Sequence, residues 1–150
     1  MSWDAVFGAA NMLAMIAWAG LILLPRKPIV LALTLYIGVG ILCATYAVSL
    51  IGIVSGTFDS GGSDVSMDFG SIESIRAIFA SDGGIVVGWV HYLAFDLFVG
   101  LWIARDADAK NFSRWLQAPI LLATLFAGPL GLFIWLLVRE PAARRSGRPE

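Results

Sequence analysis

Ionic charge is scarce in this sequence and unevenly placed. Charged residues make up 14% of the 150, against about 25% in an ordinary globular domain. Of the 10 basic and 11 acidic residues, only Asp96 falls within residues 5–24, 29–54, 84–104 or 115–138. A net charge of -1, with no basic stripe in the interior of the chain, excludes a nucleic-acid-binding surface. Cysteine is limited to Cys43, so neither an intramolecular disulfide nor a thiolate metal site can form. Histidine is limited to His91, which rules out the clusters that membrane di-iron oxygenases and bis-histidine haem proteins need. The only lysines, Lys27 and Lys110, fall in polar segments, which excludes a retinal Schiff base in a bundle core. No metal and no cofactor are therefore expected.

What remains is apolar, with 59% hydrophobic residues and a mean hydropathy of +0.82. Each of the four stretches named above reaches the roughly 20 residues that cross a bilayer. They predict an all-α membrane protein: four transmembrane helices in an antiparallel bundle, forming one domain over residues 1–138. Met1-Ser2-Trp3-Asp4 lacks the basic segment of a secretory signal, and no Arg- and Ser-rich transit peptide precedes span 1. That points to a retained first span and to insertion in a bacterial plasma membrane. Pro25-Arg26-Lys27-Pro28 closes a tight turn, because the prolines stop helices and the cations cannot enter lipid.

Residues 55–83 read as a polar loop. Its first half is acidic, and Asp59, Asp64 and Asp68 lack the spacing of an EF-hand calcium site. In its second half Ile72, Ile75, Ile78 and Phe79 recur at helical spacing behind a Ser71 cap, which predicts a short interfacial amphipathic helix. Gly128-Pro129-x-Gly131 interrupts span 4 and predicts a kink there. Residues 139–150, rich in Arg and Pro, are expected to be disordered. With four crossings the cations tie across the membrane: Arg26, Lys27, Arg105, Lys110 and Arg114 against Arg76, Arg139, Arg144, Arg145 and Arg148. The two cations of the first hairpin lean the short loops toward the cytoplasm.

His91 and Asp96 stand out because span 3 centres near Ala94, which puts both within roughly 5 Å of the midplane. An ionisable side chain there costs about 2.5–3.5 kcal/mol on insertion scales and marks function by default. Five residues apart, the two project about 140° from each other and would flank a common cavity rather than share a stripe. Burial favours the uncharged form of each, giving an acid near a base suited to proton transfer. The alternative is plain hydrogen bonding between helices, with Asn11, Tyr36, Thr45, Tyr46 and Ser49 as available partners. Tyr92 lies four residues before Asp96 on nearly the same face, where its hydroxyl can hold the carboxyl, and Trp89 lies seven before.

Trp89-Val90-His91-Tyr92-Leu93-Ala94-Phe95-Asp96-Leu97-Phe98 resembles the third-span signature of the small four-span proteins related to the plant protein called abscisic-acid-deficient four. Asn11 in span 1, Pro25 and Lys27 after it, and Pro129 with Gly131 in span 4 are similar to that family's pattern, so the resemblance covers most of residues 7–139. It implies conversion of the epoxy-carotenoid violaxanthin into the allenic neoxanthin. That redox-neutral isomerisation needs an acid at the epoxide oxygen and a base at carbon, but no metal or electron carrier. On this reading Asp96 and His91 are the catalytic pair, Asp96 as acid and His91 as base or the reverse. Asn11, Trp89, Tyr92 and Pro129 then bind and position the substrate. Three readings stay open: an isomerase of a carotenoid or other polyene lipid that holds a long apolar ligand amid membrane lipid, a non-enzymatic pigment- or lipid-binding protein, and a proton-coupled carrier using Asp96. The carrier would need a homo-oligomer.

Overall fold

The computed structural model describes residues 2–61 and 70–146, with side chains placed up to Glu140. Asp64 and Asp68 of the acidic loop lie outside the described residues. Six helices and no strand occur among those described.

Helix α1 (Trp3–Leu23) begins at Ser2, whose hydroxyl accepts from the Ala5 N–H, and ends before the Pro25-Arg26-Lys27-Pro28 turn. Pro28 then opens α2 (Pro28–Val54), a position where its missing N–H is no loss. A π-helical turn, Thr34–Val39, widens α2 and contains Gly38. A Cβ on Gly38 would stand 3.0 Å from the Ala17 side chain of α1 and 3.1 Å from that of Leu97 in the long helix that follows, so three helices pack against one another there. Helix α3 (Ile72–Ile78) is the expected amphipathic segment, capped by Ser71.

Helix α4 (Asp82–Ala109) is roughly 42 Å long at the usual rise and lies at the centre, flanked by α1, α2 and the two helices still to come. Glycines let its neighbours in. A Cβ on Gly100 would strike the Trp18 ring of α1, one on Gly84 the Ile78 carbonyl, and one on Gly88 the Phe79 ring. Helices α1, α2 and α4 are the three described helices long and apolar enough to cross a membrane.

The expected fourth span, residues 115–138, is not one helix. It is α5 (Arg114–Phe126) and α6 (Gly128–Ser146), separated by Ala127 in a non-helical conformation (φ -155°, ψ 77°). The two run antiparallel as a hairpin. Near the open end Trp135 of α6 stacks edge-on against Phe112 at 5.1 Å and donates to Asp106 at 3.0 Å, and Arg139 reaches the same carboxylate at 2.7 Å. At the closed end Tyr92 of α4 bonds the Phe126 carbonyl. A Cβ on Gly131 would run into the backbone of Thr124, so this glycine is what lets the two arms touch. Each arm back to the level of Asp106 is roughly 20 Å, short of the ~30 Å hydrocarbon core. The kink expected at Gly128-Pro129 is therefore a complete reversal, because both arms find partners at the same end of α4. Helix α6 then runs on through residues 139–146, beyond the boundary at 138 that the apolar pattern indicates.

That end of the molecule is tied by charge. Arg26 is nearly buried and donates to Asp108 at 2.9 Å, to the Ala104 carbonyl and to Gln117. Its burial pulls the guanidinium below its usual pKa while Asp108 opposes the shift. Arg114 bonds the Ile22 and Leu24 carbonyls at the end of α1, and Lys110 and Arg139 share Asp106. At the other end the Trp3 indole donates to the Asp59 carbonyl and the Gly83 N–H to that of Ser60, which draws the loop against the starts of α1 and α4.

Candidate functional site

The hairpin tip meets α4 at Asp96. A Cβ on Gly128 would collide with the Asp96 carboxyl, and the Gly128 backbone and the Tyr92 hydroxyl are the carboxyl's polar neighbours. Asp96 is 7% exposed, and its Oδ2 is buried without a hydrogen-bond partner among the described residues. The same Tyr92 hydroxyl donates to the Phe126 carbonyl at 3.0 Å, one of the carbonyls that the break at Ala127 strips of helical partners. The chain break thus creates an acceptor, a helix start and a lone buried acid within one small volume.

Tyr92 continues into a strip of aromatic and amide groups. Its ring stacks on Trp89 at 5.4 Å, and the Trp89 indole donates to the Asn11 side-chain oxygen at 3.0 Å. The Asn11 amide donates in turn to the Phe7 carbonyl, and the Phe7 ring lies 6.0 Å from Trp89. Residues 89, 92 and 96 are spaced three and four apart, so they share one face of α4, while Phe7 and Asn11 share one face of α1. Phe7 and Trp89 are each 39% exposed and Phe126 is 79% exposed, so the strip is open along its length below the hairpin tip.

Four sequence candidates, Asn11, Trp89, Tyr92 and Asp96, are therefore brought together. Pro129 is adjacent but exposed, in the first turn of α6, where proline is well tolerated. His91 is not brought to Asp96. It lies on a different face of α4, 5.3 Å from the Tyr46 ring of α2 and stacked on Phe95 at 4.6 Å. The 140° between positions five apart becomes a real separation because α4 is packed on several sides. None of the polar residues of α2 bonds to Asp96 among the described residues; its neighbours come from α4 itself and the hairpin tip. Phe7 and the Phe126–Gly128 tip were not legible as site residues. Phe7 carries the signal of sitting four before Asn11, whereas nothing local marks Phe126. No three of the described His, Cys, Asp and Glu side chains are grouped as a metal would require.

The profile of the ABA DEFICIENT 4-like family matches residues 5–135. No curated protein and no solved structure is detectably similar to the chain. The match gives no support to the bacterial plasma membrane expected from the sequence; the three long apolar helices indicate membrane integration as such. The matched region contains every residue of the strip and the hairpin tip, and the chain belongs to the ABA DEFICIENT 4-like family.

Proposed function

We propose that this membrane protein binds a carotenoid along the Phe7–Asn11–Trp89–Tyr92 strip and isomerises an epoxidised end group at Asp96. The observation that carries the reading is the buried, unpartnered Asp96 Oδ2 at the tip of a hairpin that stops half-way. On this reading α1, α2 and α4 cross the bilayer, and α5 with α6 enters and leaves on one side in place of the fourth crossing of a bundle. The part-exposed rings of Phe7, Trp89 and Phe126 offer an apolar surface along which a long ligand would lie. Family membership and the resemblance of Trp89–Phe98 support a carotenoid over other polyene lipids.

The chemistry balances on one carboxyl. Asp96 gives its proton to the epoxide oxygen as the C–O bond breaks, and the neighbouring polyene carbon loses a proton to the carboxylate so formed. The C–H electron pair becomes the second double bond of the allene, and the acid is restored without oxidant, reductant or metal. Tyr92, anchored on the Phe126 carbonyl, positions the end group, and His91, on another face, takes no part. Expression in a host that accumulates violaxanthin tests this. An allenic xanthophyll is expected with the native chain and none with Asp96→Asn at equal membrane levels. Full conversion by Asp96→Asn refutes the role of the acid, and co-purified, unaltered carotenoid with the native chain establishes binding without catalysis.

A further inference from the structure

His91 opens into a slot that the isomerisation does not use. Tyr46, Leu50 and Ile53 of α2 form one wall, Ile78 and Phe79 at the end of α3 the roof, and α4 the floor, with a cavity volume of about 260 Å³. Gly84 and Gly88 make it possible: they let α3 settle on α4, since a Cβ on either would strike the Ile78 carbonyl or the Phe79 ring. No lining residue is charged. His91 is exposed, lines this slot, and faces the rings of Tyr46 and Phe95, with no hydrogen bond among the described residues.

His91 lies nine residues into α4, roughly 14 Å from its start, so in a membrane its exposure is to lipid and its ring nitrogens have no water. An imidazole left without partners there is costly. A neutral imidazole donates from one nitrogen and accepts at the other, which matches a hydroxyl, itself donor and acceptor. A carboxylate or phosphate would need a cation, and the walls supply none. The volume, at the small end of ligand pockets, suits a ring-sized group rather than a whole lipid. We propose that the slot between α2, α3 and α4 binds the hydroxyl-bearing, otherwise apolar end group of a neutral membrane lipid, with His91 as its hydrogen-bond partner. It is a site apart from Asp96 and does not rest on the isomerase reading.

Because His91 is the sole histidine, histidine labelled with 15N at Nε2 alone gives one imidazole signal when the purification tag contains no histidine. Menthol and its deoxygenated counterpart p-menthane, added to the protein in lipid nanodiscs, are the probes. Menthol is expected to shift that signal saturably, and p-menthane at least tenfold more weakly. The menthol response should vanish in Gly88→Leu and persist in Asp96→Asn, which separates this site from the isomerisation. By calorimetry His91→Gln, which keeps a donor and an acceptor, should retain menthol binding, and His91→Leu should lose it at least tenfold. No saturable response to menthol, an equal response to p-menthane, or undiminished binding by His91→Leu overturns the proposal.

Discussion

Asp96 has a structural and a chemical side, and substitutions can part them. Its carboxyl sits against the start of α6 and so occupies the place of a helix cap, while Oδ2 stays unpartnered. Asp96→Asn keeps size and acceptor and removes the acid. Its conversion of epoxy-carotenoid should fall by at least about 100-fold, the low end for general acid catalysis, with a melting temperature close to native. Asp96→Ala should also lose stability, by about 1 kcal/mol, read from thermal unfolding in detergent. The Asn11–Trp89 bond is a simpler case. A double-mutant cycle with Asn11→Ala and Trp89→Phe should give a coupling of about 0.6 kcal/mol, typical of hydrogen bonds between membrane helices, and zero coupling would show the bond to be incidental. The three-four spacing of Trp89, Tyr92 and Asp96 was legible in the sequence because helical geometry alone sets it. The Phe126 carbonyl that Tyr92 holds was not, because it comes from another helix and depends on where the chain reverses.

Among the elements, the α5–α6 hairpin departs most from its pattern. Its residues are apolar from 115 to 138, which is all that a spanning helix requires, so the pattern cannot distinguish a crossing from two half-length arms. The difference lies in three small features: Ala127 out of helix, Gly131 admitting the backbone of Thr124, and Gly128 admitting Asp96. Gly128→Ala should therefore destabilise by about 1–3 kcal/mol, the usual cost of overpacking, and impair conversion at the same time. Pro129→Ala should change stability by less than about 0.5 kcal/mol, since proline in a first helical turn is tolerated rather than required. Equal effects of the two, measured by thermal unfolding, would mean that the proline and not the glycine contact makes the break.

At the scale of the whole molecule the hairpin changes which charges share a side. Arg139 meets Asp106, as Lys110 does, so it belongs to the end of Arg26, Lys27, Arg105 and Arg114. Among described side chains that end carries six cations, and the other carries Arg76 alone, beside Asp4, Asp59, Glu73 and Asp82. The tie that four crossings produce becomes a strong bias, and the excess of cations should face the cytoplasm. The expected outcome is a cytoplasmic C-terminus and an N-terminus on the opposite side, read from reporter fusions at each end. Both termini on one side would restore the four-crossing arrangement.

Composition and charge placement were enough to decide that the chain is helical and membrane-embedded, because lipid admits few charges and demands that every backbone group be paired within its own segment. They also singled out Asp96 and His91, since an ionisable group at that depth is conspicuous whatever surrounds it. Only the tertiary structure decided that these two serve different faces, that the last apolar stretch turns back, and that Asp96 meets its tip. Each of those depends on contacts between helices far apart in sequence, and apolar residues of similar shape leave no local mark of which neighbour they will meet.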